Sequence, residues 1–133
     1  MTVKERRVYV YQKFNGHCAY CGCELEYKDM TVDHVKPVIR DLIYDRKKHR
    51  LMTTNKMLRP ENNCVENEFP ACRPCNNFKH SMSIEEFRKC VAHQGRVMRN
   101  LKAGFRIAER FGLIAVVEKP VVFYFETFKK EEV

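Results

Sequence analysis

Apolar positions along the chain change period several times, and each change marks an element. Thr2 with Glu5 forms a capping-box pattern ahead of Val8, Tyr9, Tyr11, Gln12 and Phe14, predicting a short helix closed by Asn15-Gly16. Met30 to Val35 alternates as a strand does, and Pro37 breaks it. Residues 38–63 have no clear period, are rich in Arg, Lys and Asn, and read as a long basic loop with one helical turn around Leu42 to Arg50. A second capping-box pattern, Ser83 with Glu86, opens a helix through Phe87, Cys90 and Val91 that Gly95 interrupts. Val97, Met98, Leu101, Phe105, Ala108 and Phe111 then recur at helical spacing up to Gly112, a natural C-cap. The apolar, β-branched runs 113–117 and 121–125 flank Glu118-Lys119-Pro120 and read as a pair of strands. No repeat, linker or low-complexity segment divides the chain, so the expectation is a single α+β domain over residues 1–133.

Charge narrows the partner. The 133 residues carry a formal +8, which suits a polyanion whose counterions are released on contact. The opening run MTVKERRVYV mixes charges among its apolar residues, and no stretch reaches the ~18 apolar residues of a membrane span. The expectation is therefore a chain in the reducing cytoplasm, with no membrane partner.

In that setting seven cysteines point to metal rather than disulfides. Cys18-x-x-Cys21 and Cys72-x-x-Cys75 are two pairs about fifty residues apart. Each such turn can present two thiolates, and two turns complete a tetrahedral Cys₄ zinc site with no open position, as a structural ion requires. Redox-active pairs or unrelated thiols are the competing reading. Cys23 competes with Cys21 as a ligand, while Cys64 and Cys90 read as free thiols, Cys90 on a buried helix face.

Between the cysteine pairs lies a second pattern. The run Cys-Ala-Tyr-Cys-Gly, then Val-Asp-His-Val-x-Pro, then Asn-x-x-x-x-Cys-x-x-Cys-Asn-x-x-Lys resembles the HNH nucleases with a ββα-metal site. The resemblance covers roughly residues 10–90. It implies a small ββα-metal core stapled by zinc, with residues 95–133 as a helix and β-hairpin extension. It further implies that His34 is the general base, Asp33 a metal ligand beside it, Asn67 the brace of the loop that orients His34, and Asn76 a second metal ligand at the start of the finger helix. Lys79 matches a basic residue that often follows. The reaction implied is metal-dependent endonuclease cleavage of DNA, with no small-molecule substrate, and an origin in a phage or mobile element.

The residue types suit that chemistry. Phosphodiester hydrolysis needs a nucleophile near neutral pH, and a histidine with an ordinary pKa near ~6.5 can take a water's proton. A carboxylate from Asp33 and an amide oxygen from Asn76, with no imidazole, favour Mg²⁺ or Mn²⁺. His80 falls on the face of Asn76 if the helix has begun, making it a candidate extra ligand or a solvent-facing histidine. Lys36, Arg40, Arg73 and Lys79 are the first candidates for phosphate contacts, because the motif or the basic insert carries them. The alternative to an enzyme is a non-catalytic zinc-binding module that grips nucleic acid or protein. That alternative needs the cysteines but not Asp33, His34, Asn67 and Asn76 together.

Overall fold

The computed structural model describes residues 1–130. In chain order its elements are α1 (Val3–Gln12), β1 (Thr31–His34), β2 (Arg40–Asp45), β3 (Arg50–Met57), β4 (Glu68–Ala71), α2 (Arg73–Lys79), α3 (Ile84–Leu101), α4 (Ala103–Arg110) and α5 (Tyr124–Thr127). The chain is mixed α and β, with two small antiparallel sheets, β1 with β4 and β2 with β3. It forms two compact units, one of residues 1–83 with the segment from Phe123 onward, the other of Ile84–Val122. Among the described residues no helix is long and apolar enough to cross a membrane.

In the first unit α1 opens on the expected capping box: Glu5 N–H donates to Thr2 Oγ1 at 3.1 Å and Thr2 N–H to Glu5 Oε2 at 3.3 Å. Its inner side buries Val10, and Phe14 beyond its end packs edge-on against Phe69 of β4, 5.1 Å between centroids. Arg6 pairs with the buried Glu68 carboxylate, so charge as well as apolar contact holds α1 to β4. Strands β1 and β4 run in register from Thr31↔Ala71 to His34↔Glu68. One residue after β4 the chain turns into α2, with Cys72 as N-cap and Pro74 in the first turn, where a missing N–H costs nothing. Asp33, on β1, and α2 are thereby brought side by side.

The insert is not a loop. Residues 40–57 form the β2–β3 hairpin, in register from Leu42↔Thr53 to Asp45↔Arg50 with an irregularity near its base. The helical turn expected around 42–50 is absent: Asp45 Oδ1 accepts N–H bonds from Lys47 (2.9 Å) and Lys48 (3.1 Å) and closes a tight turn instead. No side chain of either strand is buried, and the half-buried positions are largely polar (Asp41, Asp45, Thr54), so apolar alternation did not mark the strands in the sequence.

The second unit corrects two further expectations. Helix α3 runs unbroken through Gly95, because that position needs a missing side chain: a Cβ there would stand 2.6 Å from Val116 Cγ1. The helix break comes instead at Lys102, and α4 ends as expected at Gly112 (φ +71), where Leu113 N–H reaches Ala108 O and Gly112 N–H reaches Glu109 O. Gly95→Ala should therefore cost about 1–3 kcal/mol, the overpacking outweighing the roughly 1 kcal/mol that alanine gains in a helix. Urea unfolding would check it, with Val116→Ala in the same chain expected to restore the loss.

The β-hairpin extension predicted for 113–125 does not form. Residues 113–123 hold no strand, the second apolar run is divided between the two units after Val122, and Tyr124–Thr127 is a helical turn. The second run is used otherwise: Tyr124 N–H donates to Tyr20 O at 3.0 Å and Phe125 N–H to Ala19 O at 2.8 Å. Those bonds tie it to the first cysteine turn, and Phe123 is buried beside Tyr20, 5.6 Å between ring centroids.

Candidate functional site

The two cysteine turns meet through the backbone. The first is a tight loop in which Cys18 N–H donates to Cys23 O and Gly22 N–H to Cys18 O; Gly22 holds the left-handed φ of +79° that this turn requires. Ala19 N–H then donates to Pro70 O at 2.9 Å, placing that loop against the end of β4, two residues before Cys72. As a result the sulfurs of Cys18, Cys21, Cys72 and Cys75 all lie within 4.8 Å of one another. Cys21 and Cys72 are 3.8 Å apart, about the ~3.8 Å edge of a tetrahedron built with ~2.3 Å zinc–sulfur bonds. Cys23 is exposed and outside the cluster, so the geometry selects Cys21. Cys90 is half-buried on α3, with Gln94 Nε2 3.7 Å from its sulfur.

The electrostatics of the cluster also suit a cation. A hydrogen bond from Cys75 draws the Cys18 thiol down to about 4, while giving that bond and being buried push Cys75 up. Burial raises Cys72 as well. Backbone N–H groups of Tyr20 and Cys75 point at the sulfurs of Cys18 and Cys72. Four clustered thiols without a cation must share protons, whereas a bound divalent ion would let all four ionise. The four cysteines can hold a metal ion such as zinc.

A separate cleft of about 430 Å³ opens beside β1 and α2. Asp33, His34, Arg40, Asn76 and His80 all line it, together with Ile39 and Leu42 at the root of the hairpin. Asp33 is buried, and its Oδ2 accepts from Tyr20 and pairs with Lys79 Nζ at 3.0 Å. Burial first and the Asp33 charge second push the Tyr20 hydroxyl up, so it stays a donor. No hydrogen bond engages Asp33 Oδ1 or the Asn76 side-chain amide among the described residues. His34 Nε2 lies 3.1 Å from Asn63 Oδ1, a contact that suits the tautomer with its proton on Nε2 and a lone pair on Nδ1. His80 follows α2 at φ +49°, its Nδ1 3.2 Å from Ser81 Oγ.

Asn67 is a brace. Its Oδ1 accepts from Lys36 N–H at 2.9 Å, and its Nδ2 donates to Lys36 O and Asn62 O at 2.8 and 2.7 Å, pinning the chain just after β1. The ring of His34, however, is met by Asn63, which the sequence reading missed. Nothing local separates two asparagines four residues apart in an irregular segment. Tyr20 was missed because its position inside a cysteine turn gave no hint of Asp33. Lys36, Arg40 and Arg73 are exposed. Lys79 does not occupy the position expected of a phosphate contact: it is fully buried, with its ammonium on Asp33 and, at 3.1 Å, on His34 O. Lys79 does not line the cleft, and its contacts are those of a positioning residue for β1.

Over 74 residues, 56% of this chain, the sequence is 31% identical to a protein of Bacillus subtilis (strain 168) named "SPbeta prophage-derived putative HNH endonuclease YoqL". The match spans only 27% of that relative's length. No family model and no solved structure matches the chain.

Proposed function

We propose that this chain is a metal-dependent HNH-type endonuclease that hydrolyses DNA phosphodiester bonds. The observation that carries the reading is the convergence of Asp33, His34 and Asn76 on one cleft, with the Asp33 Oδ1 and the Asn76 amide both unengaged. The prophage-derived relative and the +8 charge lend further support. The four-cysteine cluster would hold a structural zinc. Asp33 and Asn76 would hold Mg²⁺ or Mn²⁺, their two oxygens fitting a hard ion, with His80 a candidate third donor. Such an ion, when bound, supplies the Lewis acid that grips the scissile phosphate and offsets charge on the leaving 3′ oxygen.

The chain's own residues then have separable tasks. His34 Nδ1 takes a proton from the attacking water, while Nε2–H to Asn63 keeps the ring in that tautomer. Asn67 fixes the loop after β1 and thereby the His34 backbone. Lys79 and Tyr20 hold Asp33 Oδ2, leaving Oδ1 toward a ligand. Lys36, Arg40 and Arg73 contact phosphates flanking the cut. The products are 5′-phosphate and 3′-hydroxyl ends.

Plasmid incubated with the protein and Mg²⁺ or Mn²⁺ should be nicked, and His34→Ala should lower that rate by roughly 10²–10⁴-fold. Gel analysis of nicked against supercoiled DNA reads it. Equal nicking by both proteins, or none by either with any metal, would remove the mechanism and leave a zinc-stabilised nucleic-acid-binding module.

A further inference from the structure

We propose that the β2–β3 hairpin is a duplex-reading element that lies in the major groove of B-form DNA beside the cut. This rests on the nuclease reading for where the scissile phosphate sits. Four observations carry the rest. First, the hairpin is uncovered: Leu42, Ile43, Tyr44 and Leu51 are 52–62% exposed. A ribbon of apolar side chains left in water needs a partner.

Second, residues 40–59 carry seven Lys or Arg against two acids, a net +5 of the chain's +8. Both acids are already engaged inside the hairpin, Asp45 by the turn N–H groups and Asp41 by Thr54 Oγ1 at 2.9 Å. Arg46, Lys47, Lys48 and Arg50 at the exposed tip therefore face outward with no acid of the hairpin to neutralise them. That charge fits a polyanion and not an apolar protein partner.

Third, the root is anchored at the cleft. Arg59 N–H donates to Val38 O and Leu58 N–H to Ile39 O, and Ile39, Arg40 and Leu42 share the cleft with Asp33, His34 and Asn76. A strand whose phosphate sits by His34 must run alongside the ribbon. Fourth, the dimensions fit. Two strands ~4.8 Å apart with their side chains fill a groove about 12 Å wide, and the six residues of β2 reach roughly 17 Å from the cleft. Leu42, Tyr44, Thr53 and Leu51 share one face by the pairing register and offer methyl and ring contacts to thymine methyls. The deep, narrow major groove of A-form RNA admits no such ribbon.

Binding by the 133-residue chain carrying His34→Ala, without added divalent ion, tests this by fluorescence anisotropy. The probes are a short DNA duplex, the same duplex with glucosylated 5-hydroxymethylcytosines filling the major groove, and an RNA duplex of equal sequence. Both altered probes should bind about tenfold weaker or worse. Replacing Arg46, Lys47 and Lys48 together by Gln should flatten the salt dependence of log affinity by about 3. These tip residues are exposed, and unchanged zinc content and circular dichroism would confirm an intact fold.

Equal affinity for the open and the filled groove, equal affinity for DNA and RNA, or an unchanged salt slope would each overturn the proposal. The two readings fail separately. His34-dependent plasmid cleavage with no groove effect sinks the hairpin reading alone. Groove-dependent binding without cleavage supports the hairpin and sinks the nuclease reading alone.

Discussion

If the four sulfurs hold zinc as proposed, Cys72→Ser should lose that ion and, with it, cooperative unfolding. Cys72 is buried and is at once a member of the sulfur cluster and the N-cap of α2, its Sγ accepting from Cys75 N–H. The cluster closes a chain segment of about fifty residues, which carries β1, the hairpin and β4. Structural zinc contributes roughly 10–16 kcal/mol in small zinc-dependent peptides, as much as the ~5–15 kcal/mol that holds a whole domain folded. Removing one of four thiolates should therefore unfold the first unit rather than soften it. Metal analysis should give one zinc per wild-type chain and well under one for Cys72→Ser. Cys23→Ser, outside the cluster, should keep both metal and melting transition. Undiminished zinc and stability in Cys72→Ser would refute the clip.

The second large effect is expected at Lys79. Its ammonium is entirely buried against a carboxylate that is itself 6% exposed. Such a pair adds little net stability compared with apolar packing, but breaking it strands a charge. Lys79→Met should therefore cost about 3–5 kcal/mol in urea unfolding of the zinc-loaded protein. Adding Asp33→Asn removes the stranded charge, so the double variant should recover a substantial part of that loss, a coupling that a double-mutant cycle reads directly. A single variant within 1 kcal/mol of wild type would show that water or another donor serves Asp33 equally well. Surface phosphate contacts predict the opposite pattern, with little stability lost and binding weakened.

The elements and site residues differ in how far local sequence revealed them. The two CxxC pairs were legible because each is a short pattern with its own chemistry, and the strand at Asp33-His34 because its apolar positions alternate, whereas Asn76 was singled out only by the resemblance to the HNH nucleases. Residues brought together from afar were not. Lysine is so seldom buried that Lys79 reads as surface charge until Asp33, 46 positions away in sequence, is set beside it. The hairpin was opaque because neither face is buried and most of its apolar residues are exposed, which removes the apolar-in alternation that marks a strand. Gly95 read as a helix breaker because its reason for being glycine, the nearness of Val116, lies in another segment. The final apolar run read as a strand because β-branched and aromatic residues suit one, yet its N–H groups found carbonyls in the cysteine turn.

Both partners of the Asp33 carboxylate are borne by the cysteine turns: Tyr20 lies between Cys18 and Cys21, and Lys79 is on the helix that Cys72 caps. Each is held at Asp33 by the backbone of its own turn, the first through Ala19 N–H to Pro70 O and the second through the start of α2. Closing the sulfur cluster and setting the acid are thus coupled, because the same two turns carry both. A change at either turn should therefore be felt at the acid as well as at the sulfurs.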